Sequence, residues 1–344
     1  MTDAGVLVVG AGISGVACAG ALHAAGVPVR VLERGRVPGG RMASRRLHDR
    51  YVDLGASYLT ASEGSVFAEV VAAWHARGLA QPWTREFAVA DADGLRPSKP
   101  GPQRWSAPGG LRSLVVDLAS GLDVRLGSPV ARVEPRADAV LADGERYDAV
   151  VLAMPDPQAR RLLPPTAHAG EALRPEGWEP AIAVVLGWAE RRWPAGLRGV
   201  FVNDSPVLSF LADDGDRRGD GAAVLVAHTT AELARQHLEN PDAATPPVAD
   251  EVRALLGIAE APEWTFAHRW SYARPTPPHP EPYLLAGPIG VCGDGWGGAS
   301  SVGAAWTSGD ALGRDLAARL GHAAGGTARV GAVRPASPAA DGVV

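Results

Sequence analysis

Three glycines near the start of the chain have the spacing of a turn that binds a dinucleotide phosphate. Gly10, Gly12 and Gly15 follow the apolar run Val6–Val9 and precede a helical stretch. The first glycine permits a tight turn, the second lets the backbone approach a pyrophosphate, and the third allows close helix–strand packing. The helix N-terminus supplies free N–H groups for the anion. Glu33, 18 residues after Gly15, is placed to bind ribose hydroxyls, and an acid there disfavours a 2′-phosphate.

A basic, glycine-rich loop follows the second strand and narrows the choice of dinucleotide. The loop runs from Arg34 through Gly39, Gly40 and Arg41 to Met42. A simple NAD domain continues from the second strand into another helix, whereas this loop would bring backbone amides and the Arg41 guanidinium onto the same pyrophosphate. The pattern favours FAD over NAD, and the alternative is a solvated turn without a ligand.

Aromatic side chains alternate along a later segment. If Trp264–Tyr272 is a strand, then Phe266, His268, Trp270 and Tyr272 lie on one face. Such a wall suits a flat aromatic ligand stacked parallel to a flavin, and the alternative is an ordinary packed sheet face. Hydride transfer from a dihydropyridine needs position more than acid–base groups, because the donor ring becomes aromatic as the hydride leaves.

Composition excludes several other classes of protein. Lys99 is the only lysine among 33 basic residues and precedes a proline, so neither a Gly-Lys-Ser/Thr phosphate loop nor a lysine Schiff base is expected. A net charge of −5 gives no basic footprint for nucleic acid or membranes, and no apolar run is long enough for a membrane span. Cys18 and Cys292 form no disulfide framework, and we expect no metal-ligand cluster, hydrolase motif or signal peptide. We therefore expect a cytoplasmic protein.

Two domains are needed to position these residues. We expect an α/β protein with a Rossmann-type FAD-binding domain and a second, mainly antiparallel β substrate domain. The first domain would take residues 1–75, 105–160 and 285–320, the second would take 76–104 and 161–284, and residues 321–344 would be a disordered tail. The elements predicted in the first domain are strands Val6–Val9, Val27–Leu32 and Ala149–Leu152, helices Val16–Ala25, Leu111–Ser120 and Gly303–Leu320, and a hairpin of Val124–Glu134 with Ala139–Tyr147. Those in the second are strands Ala181–Trp188, Gly199–Asn203, Ala222–His228 and Trp264–Tyr272.

Several segments resemble one family of proteins. Glu33 followed by Gly39-Gly40-Arg41, the segment Asp53-Leu54-Gly55-Ala56 and the late Cys292-Gly293-Asp294 are similar to the flavin-containing amine oxidase superfamily. Within it, the chain resembles bacterial renalase-like proteins at residues 53–60, Arg104-Trp105, Pro108-Gly109 and above all His268-Arg269-Trp270-Ser271-Tyr272-Ala273-Arg274-Pro275. The resemblance runs from about residue 5 to residue 320.

The resemblance implies which residues hold FAD and the substrate. The ADP half would be held by Gly10, Gly12, Ile13, Ser14, Gly15, Glu33, Arg34, Gly40, Arg41 and Met42, with the Val130 backbone at the adenine. The flavin end would be held by Gly55, Ala56, Gly293, Asp294 and the start of the last helix at Val302 and Ala304. The dipole of that helix would stabilise the reduced flavin. The catalytic residues around the substrate would be Tyr58, His268, Trp270 and Tyr272.

The resemblance also implies a reaction. The resemblance to renalase-like proteins predicts oxidation of isomeric dihydropyridine forms of NAD(P)H to NAD(P)⁺, with O2 as the electron acceptor. Two departures bear on the substrate: Ser57 stands where relatives commonly have Gln, and Ser300-Ser301-Val302-Gly303 lacks the Arg and the acid expected there. One alternative is oxidation of an amine or a secondary metabolite, although amine-oxidising members commonly use a lysine and Lys99 lies in the wrong segment. The other is a flavin-binding protein without turnover.

Overall fold

Short runs of β-branched residues build a parallel sheet in the first domain. The computed structural model describes residues 5–92, 94–97 and 99–326. The strands of this sheet are β1 (Val6–Val9), β2 (Val29–Glu33), β9 (Asp123–Leu126), β13 (Ala149–Leu152), β19 (Leu284–Ala286) and β20 (Ile289–Val291). Their order is β19-β20-β13-β1-β2-β9, and only the β19–β20 pair is antiparallel. All four residues of β1 are buried, as expected for a central parallel strand.

Helices cover this sheet and contribute to a common core. They are α1 (Ile13–Ala24), α2 (Val66–Ala76), α3 (Leu111–Leu118) and α9 (Val302–Gly326). The long helix α9 packs closely on α1, and two of its glycines permit the approach. A Cβ at Gly309 would overlap the Ser14 carbonyl, and one at Gly313 would press on the Cys18 carbonyl. The glycines therefore let α9 lie directly on α1.

A second, seven-stranded sheet forms the other large layer. Its strands are β6 (Ala88–Asp91), β7 (Gly94–Pro97), β14 (Trp178–Gly187), β15 (Gly199–Val202), β16 (Leu208–Asp213), β17 (Val224–Thr229) and β18 (Trp264–Pro275). The order is β18-β14-β17-β16-β15-β6-β7, and only the β15–β6 pair is parallel. Alternate residues of β14 serve different faces: Ile182 and Val184 pack with helices α7 (Ala231–Gln236) and α8 (Thr245–Leu256), whereas Ala183 and Val185 pack with Leu54.

The remaining elements are short. They are the hairpin β3 (Ser44–Leu47) and β4 (Arg50–Asp53), the pair β5 (Gln81–Thr84) and β8 (Arg104–Ser106), the sheet β10 (Val133–Pro135), β11 (Val140–Ala142) and β12 (Glu145–Tyr147), helices α4 (Asp156–Leu162), α5 (His168–Ala172) and α6 (Asp214–Arg218), and 3-10 turns at Gly40–Met42 and Pro241–Ala244. No helix of the described residues is long and apolar enough to cross a membrane.

The fold class predicted from the sequence is confirmed, and one predicted hairpin is only partly right, since Val133 and Glu134 pair with β11 but the start of the first segment does not. The segment Val124–Glu134 is divided between β9, which joins the large parallel sheet, and β10, which joins a separate small sheet. The turn at Asp143 instead folds Ala139–Tyr147 onto itself as β11 and β12. Local turn signals were present in both segments, and only the long-range pairing of β9 with β2 separates them. Helix α9 also continues through residue 326, six residues into the predicted tail, and residues 327–344 lie outside the described part.

Candidate active site

A cavity of about 1080 Å3 is lined by residues of both large sheets. Small-molecule sites typically occupy about 300–1000 Å3, so this one has room for a large cofactor and a substrate. Every cofactor residue predicted from the sequence lines it except Gly15 and Ala304. On the substrate side, His268, Trp270 and Tyr272 line it as well.

The three glycines at the start of α1 have different roles. Gly10 has φ +112°, a conformation that favours glycine, and a Cβ at Gly15 would overlap the Gly10 carbonyl. Gly15 is therefore a packing residue, which explains why it does not line the cavity. A Cβ at Gly12 would meet only Gly40 Cα, at 3.9 Å. The surface at Gly12, Ile13 and Ser14 is thus open at the N-terminus of α1, where backbone N–H groups favour an anion.

The Glu33 carboxylate is held in place at the end of β2. Its Oε2 accepts from the Ala11 amide at 2.8 Å, and its Oε1 accepts from the Gly35 amide at 2.7 Å. These bonds hold the acid at the cavity wall beside Arg34, and each oxygen keeps a lone pair for a further donor. This position beside the phosphate turn matches that of a ribose-binding acid.

The sequence predicts that the Arg41 guanidinium contacts the pyrophosphate. In the structure this guanidinium is already paired with a carboxylate. It forms a two-pronged pair with Asp294, in which Nη1 lies 2.9 Å from Oδ2, and Nη1 also donates to the Ala273 carbonyl at 3.1 Å. Ser300 Oγ donates to the same carboxylate at 2.7 Å. Arg41 also lies over the Trp178 ring, 5.2 Å from its centroid. The pair therefore joins the Gly-Gly-Arg loop to the later segment around Asp294.

Arg112, at the start of α3, is a cavity residue that the motifs did not reveal. Its side chain lies against Gly39, where an added Cβ would be 3.3 Å from Nε. The Nε atom is buried and has no hydrogen-bond partner among the described residues, and burial lowers the pKa of the guanidinium. Because Gly39 adjoins Gly40 and Gly12, Arg112 brings an unpaired cation to the glycine junction. The sequence around Arg112 is typical of an ordinary amphipathic helix, so only the folded structure shows that Arg112 lies at the glycine junction.

The flavin end of the predicted site is built from three separated segments. Gly55 and Ala56 line the cavity where the Ala56 amide donates to the Arg41 carbonyl at 2.9 Å. Val302 and Ala305 line it at the start of α9. The predicted residue Ala304 instead directs its amide to Ser301 Oγ at 3.0 Å, so Ser301 caps the helix. Met42, Val130 and Gly293 complete the predicted set at the cavity wall.

Strand β18 presents its alternating side chains to the cavity. Trp270 Nε1 donates to the Leu54 carbonyl at 2.8 Å, and the ring of His268 meets that of Trp270 edge-on with centroids 4.5 Å apart. Tyr272 Oη accepts from Arg161 Nη1 at 3.0 Å. These three side chains and Phe266 are partly buried, whereas Thr265, Arg269 and Ser271 are exposed and Ala267 is buried. Phe266 is not among the described residues that line the cavity.

Tyr58 is not where the sequence-based assignment put it. Among the described residues it is absent from the cavity lining, and its ring packs 5.3 Å from Phe87 and 6.2 Å from Phe210. The Arg104 guanidinium lies over the Tyr58 ring, 5.5 Å from its centroid. The error arose because Tyr58 closely follows the cavity residues Gly55 and Ala56, but the chain turns its side chain into a separate aromatic cluster.

His228, at the end of β17, is a cavity residue that sequence reasoning missed. Its Nε2 lies 3.4 Å from the Leu54 carbonyl, the same oxygen that accepts from Trp270. Burial lowers the pKa of His228 to about 4, assisted by the nearby Arg217 charge, so the ring is neutral at pH 7. The pKa of His268 is also lowered, first by burial and then by arginines 45, 112 and 269. No motif marks His228, because its role depends on strand register.

A buried ionic cluster supports the cavity segment 53–57 from behind. Arg217 Nη1 donates to the Ser57 carbonyl at 2.8 Å, and Arg217 also pairs with Asp214. Arg218 Nη2 donates to Asp53 Oδ2 at 3.0 Å. Although burial opposes ionisation, the surrounding arginines lower the pKa of Asp214 to about 2. The cluster therefore stays charged and fixes the backbone from which Gly55 and Ala56 reach the cavity.

The residues present fit FAD. The cavity combines the N-termini of two helices, an open glycine turn, a ribose-type acid at Glu33 and the partly buried guanidinium of Arg112, whose Nε has no partner among the described residues. Among the described residues there is no group of three or more His, Cys, Asp or Glu that could hold a metal ion. Lys99 is not among the described residues that line the cavity.

Comparisons with known proteins agree with this interpretation. The family model for a NAD(P)-binding Rossmann-like domain matches residues 8–74, and the model for flavin containing amine oxidoreductase matches residues 79–309. Solved structures with a similar fold include a candidate protoporphyrinogen oxidase from Exiguobacterium sp. 255-15 (TM-score 0.75, 16% identity, covering 93% of this chain and 100% of that chain) and cyclohexylamine oxidase from Brevibacterium oxydans IH-35A (TM-score 0.72, 14% identity, 93% and 100%). A putrescine oxidase bound to putrescine is also similar (TM-score 0.67, 15% identity, 93% and 99%).

Fold and site together define a flavin-dependent oxidoreductase. The chain belongs to the flavin containing amine oxidoreductase family, whose model spans about two thirds of it. Because the flavin site includes a Rossmann dinucleotide-binding turn, the cofactor is FAD.

Proposed function

We propose that the chain oxidises a small planar hydride donor, namely isomeric dihydropyridine forms of NAD(P)H, and that O2 is the electron acceptor. This is the activity implied by the resemblance of residues 268–275 to bacterial renalase-like proteins. Bound FAD supplies the hydride acceptor and the route for electrons to O2. The donor loses a hydride to become a pyridinium, and O2 with one proton from solvent becomes hydrogen peroxide.

The pairing of the acids in the cavity is the observation that carries this proposal. Three carboxylates line the cavity in the described chain, and each already has partners. Two backbone amides hold Glu33, Arg41 holds Asp294, and Arg274 holds Glu179 with Nη2 2.5 Å from Oε2. Glu33 lies beside the phosphate turn, and the other two carboxylates are paired with arginines. A cationic amine beside β18 would therefore meet no carboxylate that lacks a cation, which favours a neutral ring or an anionic substrate.

Arg161 supplies a cation that suits a phosphate-bearing donor. Its Nη1 donates to the Tyr272 hydroxyl, and its guanidinium lies 5.7 Å from the Tyr272 ring centroid. No carboxylate lies within ion-pair distance of Arg161 among the described residues. Arginine binds phosphate well because its donors are fixed in a planar fork. We propose that Arg161 contacts a phosphate of the dinucleotide while Tyr272 and Trp270 contact the ring.

The cavity walls need only orient the donor and exclude water. The ring nitrogen of Trp270 is fixed by its bond to the Leu54 carbonyl, so the indole has one orientation. No proton has to be taken from a dihydropyridine when its hydride leaves, which agrees with neutral histidines at this wall and with no lysine lining it.

Anaerobic mixing of the FAD-loaded protein with the 2- and 6-dihydro isomers of NADH and NADPH tests the proposal. We expect rapid bleaching of the visible flavin absorbance and formation of NAD(P)⁺, followed by reoxidation and peroxide when O2 is admitted. Ordinary NADH, the 4-dihydro form, is the control for nonspecific reduction. Unchanged flavin absorbance with both isomers would rule the proposal out.

Amine oxidation is the second candidate, because the cyclohexylamine and putrescine oxidases share the fold. Cyclohexylamine and putrescine should be assayed in parallel. If either amine bleaches the flavin faster than the dihydro isomers do, amine oxidation becomes the favoured function. If no donor of either class reduces the flavin, neither candidate stands and a non-catalytic flavin-binding role would have to be reconsidered.

A further inference from the structure

The register of the second sheet aligns the two cavity histidines. Ala183 on β14 pairs with His228 on β17 and also with His268 on β18, so the three residues form one row across three strands. Directly opposed residues of neighbouring strands project from the same face, and strands lie about 4.8 Å apart. The Cα atoms of the two histidines are therefore about 10 Å apart on the face that borders the cavity.

Leu54 packs with Ala183, the middle residue of this row. It belongs to the same buried cluster as Ala183, and its carbonyl lies near His228 Nε2 and Trp270 Nε1. A carbonyl oxygen can only accept a hydrogen bond, so Nε2 of His228 carries the ring hydrogen. In the neutral ring, Nδ1 is then an acceptor, and no hydrogen bond to it occurs among the described residues.

A hydrogen-bond acceptor at this wall can distinguish between two groups of similar shape. A carboxamide offers N–H donors, whereas a carboxylate offers only acceptors and a negative charge. A site that accepts a hydrogen bond from a ligand rejects an analogue without the donor, because the buried acceptor loses its partner. The positive charges of Arg112 and Arg269 near His268 would favour the opposite choice, so the two possibilities make opposite predictions.

We propose that His228 accepts a hydrogen bond through Nδ1 from the carboxamide of the donor ring, and so orients that ring and excludes rings that carry a carboxylate. This assignment depends on the proposed function, since it concerns a dihydronicotinamide donor. His228 is thereby a specificity-determining residue, held in one orientation by the Leu54 carbonyl.

The test compares two donors in the FAD-loaded protein: the 6-dihydro isomer of NADH and the 6-dihydro isomer of reduced nicotinic acid adenine dinucleotide. Flavin reduction is followed anaerobically by stopped flow. We expect the wild type to prefer the carboxamide at least tenfold in the second-order rate constant. His228→Phe should reduce this preference to less than threefold, mainly by slowing the carboxamide donor. His228→Gln, which can both donate to Leu54 and accept from the amide, should retain most of it. His168→Phe, at an exposed histidine, is the matched control.

The outcomes separate this inference from the proposed function. Reduction by both donors at equal rates, or faster reduction by the carboxylate donor, overturns the role of His228 but leaves the proposed function intact. A preference that survives unchanged in His228→Phe also overturns it. Reduction by neither donor overturns both proposals. If His228→Phe does not fold, a wild-type preference of less than tenfold, or loss of the preference in a folded His228→Gln, still overturns the role of His228.

Discussion

The guanidinium of Arg41 and the carboxylate of Asp294 form a two-pronged ion pair, with Nη1 2.9 Å from Oδ2, although 253 residues separate them in sequence. The pair also holds the Ala273 carbonyl of β18 and the Ser300 hydroxyl. It therefore joins the glycine-rich loop, the substrate-side strand and the segment before α9 at one point of the cavity.

Asp294→Asn should weaken FAD binding. Loss of the charge leaves the partly buried Arg41 without its anion, and hydrogen bonds to charged groups contribute about 1.5–3 kcal/mol. We expect the FAD dissociation constant to rise about ten- to a hundredfold, measured by titrating apoprotein with FAD. Asp250→Asn, at an exposed Asp250–Arg253 pair, is the control and should change it less than twofold. Equal affinities of wild type and Asp294→Asn would contradict the role given to this pair.

Three glycine-to-alanine changes in or beside α1 should have three different effects. Gly12→Ala meets only ordinary contact in the protein, so folding should be retained while FAD affinity falls, because the methyl blocks the approach of the pyrophosphate. Gly15→Ala overlaps the Gly10 carbonyl and should prevent normal folding. Gly20→Ala has open space and should raise stability by about 0.5–1 kcal/mol. FAD titration and urea unfolding check all three, and similar behaviour of Gly12→Ala and Gly20→Ala would refute the distinction.

Arg112→Met should weaken FAD binding without destabilising the apoprotein. The guanidinium is partly buried, and its Nε has no partner among the described residues, so its removal relieves a desolvated charge in the empty site. Its loss should raise the FAD dissociation constant about tenfold or more. Arg112→Lys restores the charge but not the planar fork and should recover only part of the affinity. A lower free energy of unfolding with unchanged FAD affinity would show that Arg112 is structural.

The lowered pKa of His228 predicts that the folded protein becomes less stable as the pH falls. The unfolded value is 6.5 and the folded value is about 4, so the unfolded state binds the extra proton. The free energy of unfolding therefore keeps its full value above pH 6.5. It falls by up to about 3 kcal/mol as the pH falls towards 4, because the unfolded state takes up the proton first. We expect the difference in unfolding free energy between wild type and His228→Gln to change by that amount between pH 6.5 and pH 4. Urea unfolding at a fixed FAD concentration measures this difference. The difference between wild type and His168→Gln should stay constant, and a pH-independent difference for His228→Gln would count against the prediction.

Tyr58→Phe should leave flavin reduction by the substrate within about twofold of wild type, because Tyr58 packs with Phe87 and Phe210 away from the cavity lining. Tyr272→Phe removes the acceptor of the Arg161 bond and should lower the second-order rate constant about tenfold. Stopped-flow reduction of both variants by the same donor compares them. A large effect of Tyr58→Phe would restore the role predicted from the sequence.

The first strand, helix and glycine turn were predictable because their signals are local. Val6–Val9 is apolar throughout, Gly10, Gly12 and Gly15 have fixed spacing, and Glu33 follows at the end of the next strand. The alternation along β18 likewise identified His268, Trp270 and Tyr272 as one face. Each of these inferences needed only neighbouring residues and the period of one element.

The rest of the site depends on contacts between distant segments. His228 reaches the cavity because β17 and β18 both pair with β14, a register that no local pattern encodes. Arg112 meets Gly39 through the packing of α3, and Arg41 meets Asp294 only when the late segment returns to the first sheet. Tyr58 shows the converse error, because proximity in sequence to Gly55 did not determine the direction of its side chain.

The lining of one cavity by α1 and α9 has a consequence for biosynthesis. Gly12 and Ile13 leave the ribosome early, whereas Asp294 and Val302 belong to the last described segments to be made. A nascent chain that ends before Asp294 lacks both the anion that orients Arg41 and the helix that packs on α1 through Gly309. Tight binding of FAD must therefore follow synthesis of α9, so the cofactor is loaded onto a chain whose described segments have all been made.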